Sequence, residues 1–341
     1  MSDSCNIMRI YLANVGLLII SIIFCIGMLE LGLRLTGIVQ VGPHPPLIFQ
    51  ESSNPAISYE LKSSIVRKAY RSTVKTNTLG LRSEERDPSR PLFVTLGDSI
   101  TFGYGVENDE TIAAQLERQI PDIQFLNAGV PGYHLGQETA LYREKIAALD
   151  PAGVIVVFHP NDMHAGTGWI DADGVLRAEG DDPKDRPALR CDPIATGILS
   201  KIPWSCWLDR KSALYVGIKK FIRMRTSMEA LKADQAESAQ HPEVDDITDA
   251  DVAAYTKQLQ VFRALLSVKH QKIFVLWPDR NLHAVSRPKI AAAARQQGFT
   301  VVDLYDTFGN TAKTLSWDSV HPHPETIARA AEITARAIHQ P

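Results

Sequence analysis

Pro91-Leu92-Phe93-Val94-Thr95-Leu96-Gly97-Asp98-Ser99-Ile100 sets the architecture of this chain. The run from Leu92 to Leu96 is aliphatic, β-branched and aromatic, and it stops at a glycine. That pattern predicts a buried strand entering a sharp turn. At the carboxyl edge of a parallel sheet, such a turn faces the crevice where open α/β proteins bind ligands. Ser99 is then a hydroxyl held at a fixed, exposed place. Alone, Gly-Asp-Ser is three common turn residues; its weight comes from partner blocks further along the chain.

Beyond Leu92, apolar runs alternate with amphipathic ones. Strands are predicted at 92–97, 123–127, 153–158, 272–277 and 299–304, and helices at 110–120, 135–149, 250–269, 285–297 and 324–339. The alternation predicts an α/β domain, a parallel sheet with helices on both faces. No internal repeat is evident. The stretch from about 163 to 249 interrupts the rhythm. It holds Asp171-Ala172-Asp173-Gly174, the acidic Gly180-Asp181-Asp182-Pro183, Ile202-Pro203-Trp204-Ser205-Cys206-Trp207 and a basic, apolar run from Leu214 to Met224. It reads as a lid or specificity insertion. Within it, Lys219, Lys220, Arg223 and Arg225 read as a solvated helix face, with contact to anionic lipid heads as the alternative.

Three further blocks carry chemistry. Trp317-Asp318-Ser319-Val320-His321-Pro322 precedes the last helix. An acyl-accepting serine needs a base for its proton, and the base needs an acid to fix its tautomer. Asp318 and His321, three residues apart, offer both from one loop. Asn127-Ala128-Gly129-Val130-Pro131-Gly132 follows the second strand. A glycine there leaves a backbone N–H open to a ligand; Gly132 is the candidate, Gly129 competes with it, and Pro131-Gly132 also reads as a plain type II turn. Asn161-Asp162 follows the third strand, where Asn161 offers a side-chain amide to a developing oxyanion or caps the next segment. His159, His164 and His323, with Asp162 and Asp171, lack any tight metal-ligand spacing, so no metal site is expected. The Gly-x-Ser-x-Gly elbow of α/β-hydrolases is not met, because position 101 is Thr.

Together the four blocks resemble the SGNH (GDSL-type) hydrolase family, over roughly 250 residues from Leu92 onward. The resemblance implies a flavodoxin-like sheet and a serine esterase working through an acyl-enzyme, with no metal or organic cofactor. It implies Ser99 as nucleophile and His321 as base, with Asp318 orienting that base. It implies an oxyanion hole of the Ser99 and Gly132 N–H groups and the Asn161 amide. The substrate expected is a small-molecule or carbohydrate ester, a short acetyl ester first. Transfer of the acyl group to an envelope or secreted polysaccharide is the alternative, and an inactive polysaccharide-binding domain a third reading. The chain departs from the family where His159-Pro160 replaces the usual Gly-x before Asn161, and where no glycine follows His321 closely. Pro160 is expected to stiffen the approach to Asn161.

Ahead of this domain, Ile10 to Met28 is apolar over 19 residues, with Asn14 its one strongly polar member. At about 1.5 Å per residue it spans roughly 28 Å, close to a hydrocarbon core of about 30 Å. It is longer than a signal-peptide apolar region and has no Ala-x-Ala-like site after it. Ile23-Phe24 before Cys25 does not fit a lipoprotein cysteine. A single uncleaved anchor is expected over residues 1–37, a linker and small lead-in over 38–90, and the hydrolase domain over 91–341. One arginine on each side of the span, Arg9 and Arg34, barely decides its orientation. Anchored relatives imply an inner-membrane protein with its catalytic domain in the periplasm. Cys191 and Cys206 are compatible with a disulfide there, or with two thiols that never meet. A net charge of −3 gives no case for nucleic acid binding.

Overall fold

The computed structural model describes residues 2–36, 39, 48–163, 168–170, 176–177, 202–240 and 244–338. The chain divides into two compact units, Met1–His44 with Arg186–Met228 and Pro45–Asp185 with Glu229–Pro341.

The first unit is helical. α1 (Ser2–Thr36) contains a stretch, Tyr11–Thr36, long and apolar enough to cross a membrane, with none of it buried. The helix continues past Met28, through Glu30 and Arg34, which pair with each other at 2.7 Å.

The second unit opens with two antiparallel hairpins, β1 (Phe49–Glu51) with β2 (Tyr59–Leu61) and β3 (Val66–Ala69) with β4 (Ser72–Lys75). Their buried Ile48, Ile57, Leu61 and Val74 join the main core. Then come β5 (Leu92–Leu96), α2 (Ser99–Phe102), α3 (Ile112–Gln119), β6 (Gln124–Asn127), α4 (Leu135–Leu141), β7 (Gly153–Phe158) and a short pair, β8 (Trp169–Ile170) with β9 (Leu176–Arg177). α5 (Ser205–Lys211) and the first half of α6 (Ala213–Gln240) belong to the first unit. The second unit finishes with α7 (Asp249–Ala264), β10 (Gln271–Leu276), α8 (Ser286–Gln296), β11 (Thr300–Asp303), α9 (Tyr305–Phe308) and α10 (Pro324–Ile338). All five expected strands form, within a residue or so of their predicted ends.

The sheet is parallel throughout, ordered β6-β5-β7-β10-β11. Numbered along the chain that is 2-1-3-4-5, the flavodoxin-like order, with the topological switch between β5 and β7. Strand residues alternate between two cores, as the two-residue side-chain period requires. Leu92, Val94, Leu96, Val154 and Val156 face a core shared with the hairpins and with Tyr255, Leu259 and Phe262 of α7. Phe93, Ile155, Val157 and Ile273 face the other, filled by Leu116 of α3 and Ile327, Ala330 and Ala331 of α10. Strands covered on both faces are apolar without alternation, which is why Leu92–Leu96 and Gly153–Phe158 are buried at every position.

Two predicted helices differ. The segment 135–149 is α-helical only to Leu141, then loosens to a π turn and a 3₁₀ turn that ends at Asp150 in the left-handed region. The helix predicted to reach 269 stops at Ala264. The predicted solvated face at Lys219 is also corrected: Lys219 is buried in an ion pair with Asp209, one helix earlier. An aspartate placed to neutralise it makes that burial tolerable. Cys191, His164 and Asp171 lie outside the described residues, as does the side chain of Cys206.

Candidate active site

The loops that matter leave the carboxyl ends of β5, β6 and β7, flanking the switch point. After β5 the chain turns at Gly97 (φ +152°), where a Cβ would sit 2.1 Å from the Thr101 hydroxyl. A helix starts at once after it, and Asp98 caps α2 by accepting from the Ile100 N–H at 2.8 Å. Ser99 is thereby presented at the first position of the helix. Its Oγ lies 2.9 Å from His321 Nε2, and His321 Nδ1 lies 2.8 Å from Asp318 Oδ2. The structure brings together all three residues across the length of the domain.

The Asp318–His321 turn is tied internally. Asp318 Oδ1 accepts from the N–H groups of Val320 (2.8 Å) and His321 (2.9 Å), and Leu315 N–H donates to the His321 carbonyl at 2.9 Å. Burial pushes the Asp318 carboxyl up, but the bonds from the His321 ring and from the two backbone N–H groups outweigh it and hold the carboxyl down at about 2. Asp318 is therefore a fixed anion beside Nδ1, placing the ring proton there and leaving Nε2 as acceptor for the Ser99 hydroxyl. Tyr104 stacks on the His321 ring, centroids 4.0 Å apart and planes 20° apart.

Gly129 and Gly132 separate clearly. Gly129 is pressed against α2, where a Cβ would come within 2.3 Å of the Phe102 nitrogen, and its N–H donates to Asn127 Oδ1 at 2.9 Å. Gly132 is left-handed (φ +79°), and the Tyr59 hydroxyl beside it donates to the Pro131 carbonyl at 2.7 Å. The N–H groups of Ser99 and Gly132 have no acceptor among the described residues.

Asn161 sits in the 3₁₀ turn Pro160–Met163 and is held from two sides. Its amide Nδ2 donates to Asp98 Oδ2 at 2.8 Å, and its Oδ1 lies 2.6 Å from His159 Nδ1. The Asp98 carboxylate sets which end of the amide is the donor, and the contact with Oδ1 then assigns the ring proton to His159 Nδ1. One Nδ2 hydrogen remains for a ligand. Behind this clamp, Glu138 and Asp162 are fully buried. Burial first, and the Asp98 charge second, push the Glu138 carboxyl up to about 8. Burial and then the charges of Asp98 and Glu138 push Asp162 well above the ordinary carboxylate range. Both shifts favour the protonated form, which reduces the repulsion beside Asp98.

Sequence reading missed four contributors: His159, Tyr59, Tyr104 and Arg82. The Arg82 guanidinium is buried over the Phe102 ring. It donates to the carbonyls of Phe102 (3.0 Å), Gly103 (2.6 Å) and Val106 (2.7 Å), closing the loop after Ser99. Its only local signal was an arginine at the end of an apolar turn, Leu79-Gly80-Leu81-Arg82. No group of three or more histidine, cysteine or carboxylate side chains arranged to hold a metal occurs among the described residues.

No protein-family model matches the chain, and no curated protein matches it. Among solved structures it is similar to TesA, at 12% identity and a TM-score of 0.42, covering 73% of this chain and 98% of that one. It is similar to a lipase/acylhydrolase from Enterococcus faecalis, at 15% identity and 0.40, covering 73% and 95%. A two-domain esterase (CEX) active on acetylated mannans matches at 14% and 0.41, covering 73% and 49%. Likenesses at this level carry nothing about activity, which rests on the site geometry.

Proposed function

We propose that this chain is a membrane-anchored serine esterase. The observation that carries the reading is the unbroken chain of hydrogen bonds from Ser99 through His321 to Asp318. His321 Nε2 takes the Ser99 proton as Oγ attacks the ester carbonyl, and Asp318 stabilises the imidazolium. The oxyanion is received by the N–H groups of Ser99 and Gly132 and the free hydrogen of the Asn161 amide. His321 returns its proton to the leaving alcohol; water, activated by the same base, then releases the acyl group. None of these steps calls on a metal or cofactor.

The substrate we favour is a short acyl ester, acetyl first, on a carbohydrate. Polar residues dominate the loops around Ser99, as in His159-Pro160-Asn161-Asp162 and Ser319-Val320-His321-Pro322-His323, whereas a lipid-handling site needs an extended apolar channel. α1 anchors the enzyme in the inner membrane, with the catalytic unit in the periplasm. The test is covalent labelling by a fluorophosphonate together with turnover of acetyl, butyryl and octanoyl aryl esters. Ser99→Ala is expected to abolish labelling and lower turnover by several orders of magnitude. Equal labelling of the variant moves the nucleophile elsewhere, and kcat/KM rising steadily toward octanoyl rejects the acetyl assignment. Acyl transfer to an added sugar that outruns hydrolysis makes the enzyme a transferase.

A further inference from the structure

The helical unit holds an exposed apolar surface that the ester chemistry does not use. Trp204 is 82% exposed, Trp207 61% and Phe221 55%, and Ile218, Ile222 and Met224 are exposed as well. Along α6, Leu214, Ile218, Phe221 and Ile222 follow the spacing of a single helix face. The opposite face is already used: Ala213 and Val216 pack with Val39 and against Leu33 of α1.

The first turn of α6 is fixed to α1 at a particular height. Glu30 accepts from the N–H groups of Ala213 and Leu214, each at 2.8 Å, and from the Ser212 hydroxyl at 3.0 Å. It thus supplies the acceptors that a helix N-terminus lacks. Arg34 adds a bond to the Lys211 carbonyl. The apolar stretch Tyr11–Thr36 has 26 residues, about 39 Å at 1.5 Å per residue, against a hydrocarbon core of about 30 Å. With Tyr11 at one boundary, the other falls near Glu30, roughly 9 Å before Thr36. The start of α6 is therefore level with a headgroup layer. Between Asp209 and Glu229 the chain carries six basic residues and no acidic one; Lys219 is neutralised by Asp209, and Lys220 is also engaged.

We propose that α5 and the first half of α6 form an amphipathic element lying in the leaflet where α1 ends, with Trp204, Trp207 and the Ile218–Phe221–Ile222 face among the upper acyl chains. The occupant of the apolar face is lipid, and anionic headgroups complement the basic residues. Tryptophans are usual side chains of a membrane interface. The inference rests on α1 spanning the membrane.

The test uses the full-length protein in vesicles of equal parts phosphatidylcholine and phosphatidylglycerol, the former brominated near the top of its acyl chains. Five tryptophans are present; quenching of roughly two-fifths of the emission is expected, and its loss in the Trp204→Phe/Trp207→Phe variant. Flotation of the vesicles is read on the same samples. Protein that does not float removes the anchor and this proposal together. Protein that floats with the same quenching in wild type and variant, or none in either, overturns the interfacial element alone. Tryptophans shielded from aqueous acrylamide yet untouched by bromine also overturn it, since protein then covers the face.

Discussion

Replacing Asp318 by asparagine isolates one job of the triad from every other job of that loop. The amide oxygen of the new side chain still accepts from the Val320 and His321 N–H groups, which Asp318 receives at 2.8 and 2.9 Å, so the turn keeps its shape. What changes is the group facing His321 Nδ1: a carboxylate oxygen at 2.8 Å becomes an amide N–H donor. Nδ1 must then accept, the ring proton moves to Nε2, and the nitrogen 2.9 Å from Ser99 Oγ has no lone pair for its proton. An inverted tautomer in such a triad costs about 10⁴ in kcat, about 5 kcal/mol of transition-state stabilisation. Stability behaves differently with pH. The carboxyl is held at about 2 against an ordinary 3.8. A depressed carboxylate stabilises the fold above its ordinary pKa, by on the order of 2 kcal/mol here, and loses this as pH falls from about 4 toward 2. The gap in melting temperature between wild type and Asp318→Asn should therefore narrow on acidification through that window. The assays are aryl-acetate kcat and fluorophosphonate labelling rate at neutral pH, with thermal melts across the acid range. A loss of less than tenfold, with the fold intact, refutes Asp318 as the orienting acid.

Two further substitutions probe the surroundings. Asn161→Ala should lower kcat by roughly 10²–10³ with KM nearly unchanged, because an oxyanion donor binds charge present only in the transition state; a loss confined to KM makes Asn161 a ground-state positioner instead. Arg82→Met leaves the Val106 carbonyl buried without its donor, while the carbonyls of Phe102 and Gly103 keep only the longer bonds from Asn127 Nδ2 and the Val106 N–H, each at 3.3 Å; at about 1–3 kcal/mol for an orphaned group, the urea midpoint should fall by an amount equal to at least about 1 kcal/mol, and an unchanged midpoint refutes the anchoring role.

Near neighbours and periodicity carry part of this molecule in the order of its residues alone. Val94 between Phe93 and Thr95 must lie in a strand covered on both faces, Gly97 must turn, and Asp318 and His321 must share a loop. Ile10–Met28 has the length and apolarity to cross a membrane. The five strands were legible for that reason, and the candidates Ser99, Gly132, Asn161, Asp318 and His321 through the resemblance of their blocks to a known family. Other features pair groups distant in the chain, so they take form only when it folds. Arg82 looks like any arginine after a turn until the carbonyls of Phe102, Gly103 and Val106 close around it. Gly129 and Gly132 are equivalent as letters; the backbone of α2 excludes a side chain from one, and Tyr59 meets the other. His159 turns from a polar loop residue into the partner of the Asn161 carbonyl, and Lys219 from a solvated charge into a buried one, because an acceptor stands beside each in space. A charge or a hydrogen-bonding group takes its meaning from what surrounds it in a low dielectric, and that surrounding exists only once the chain has folded.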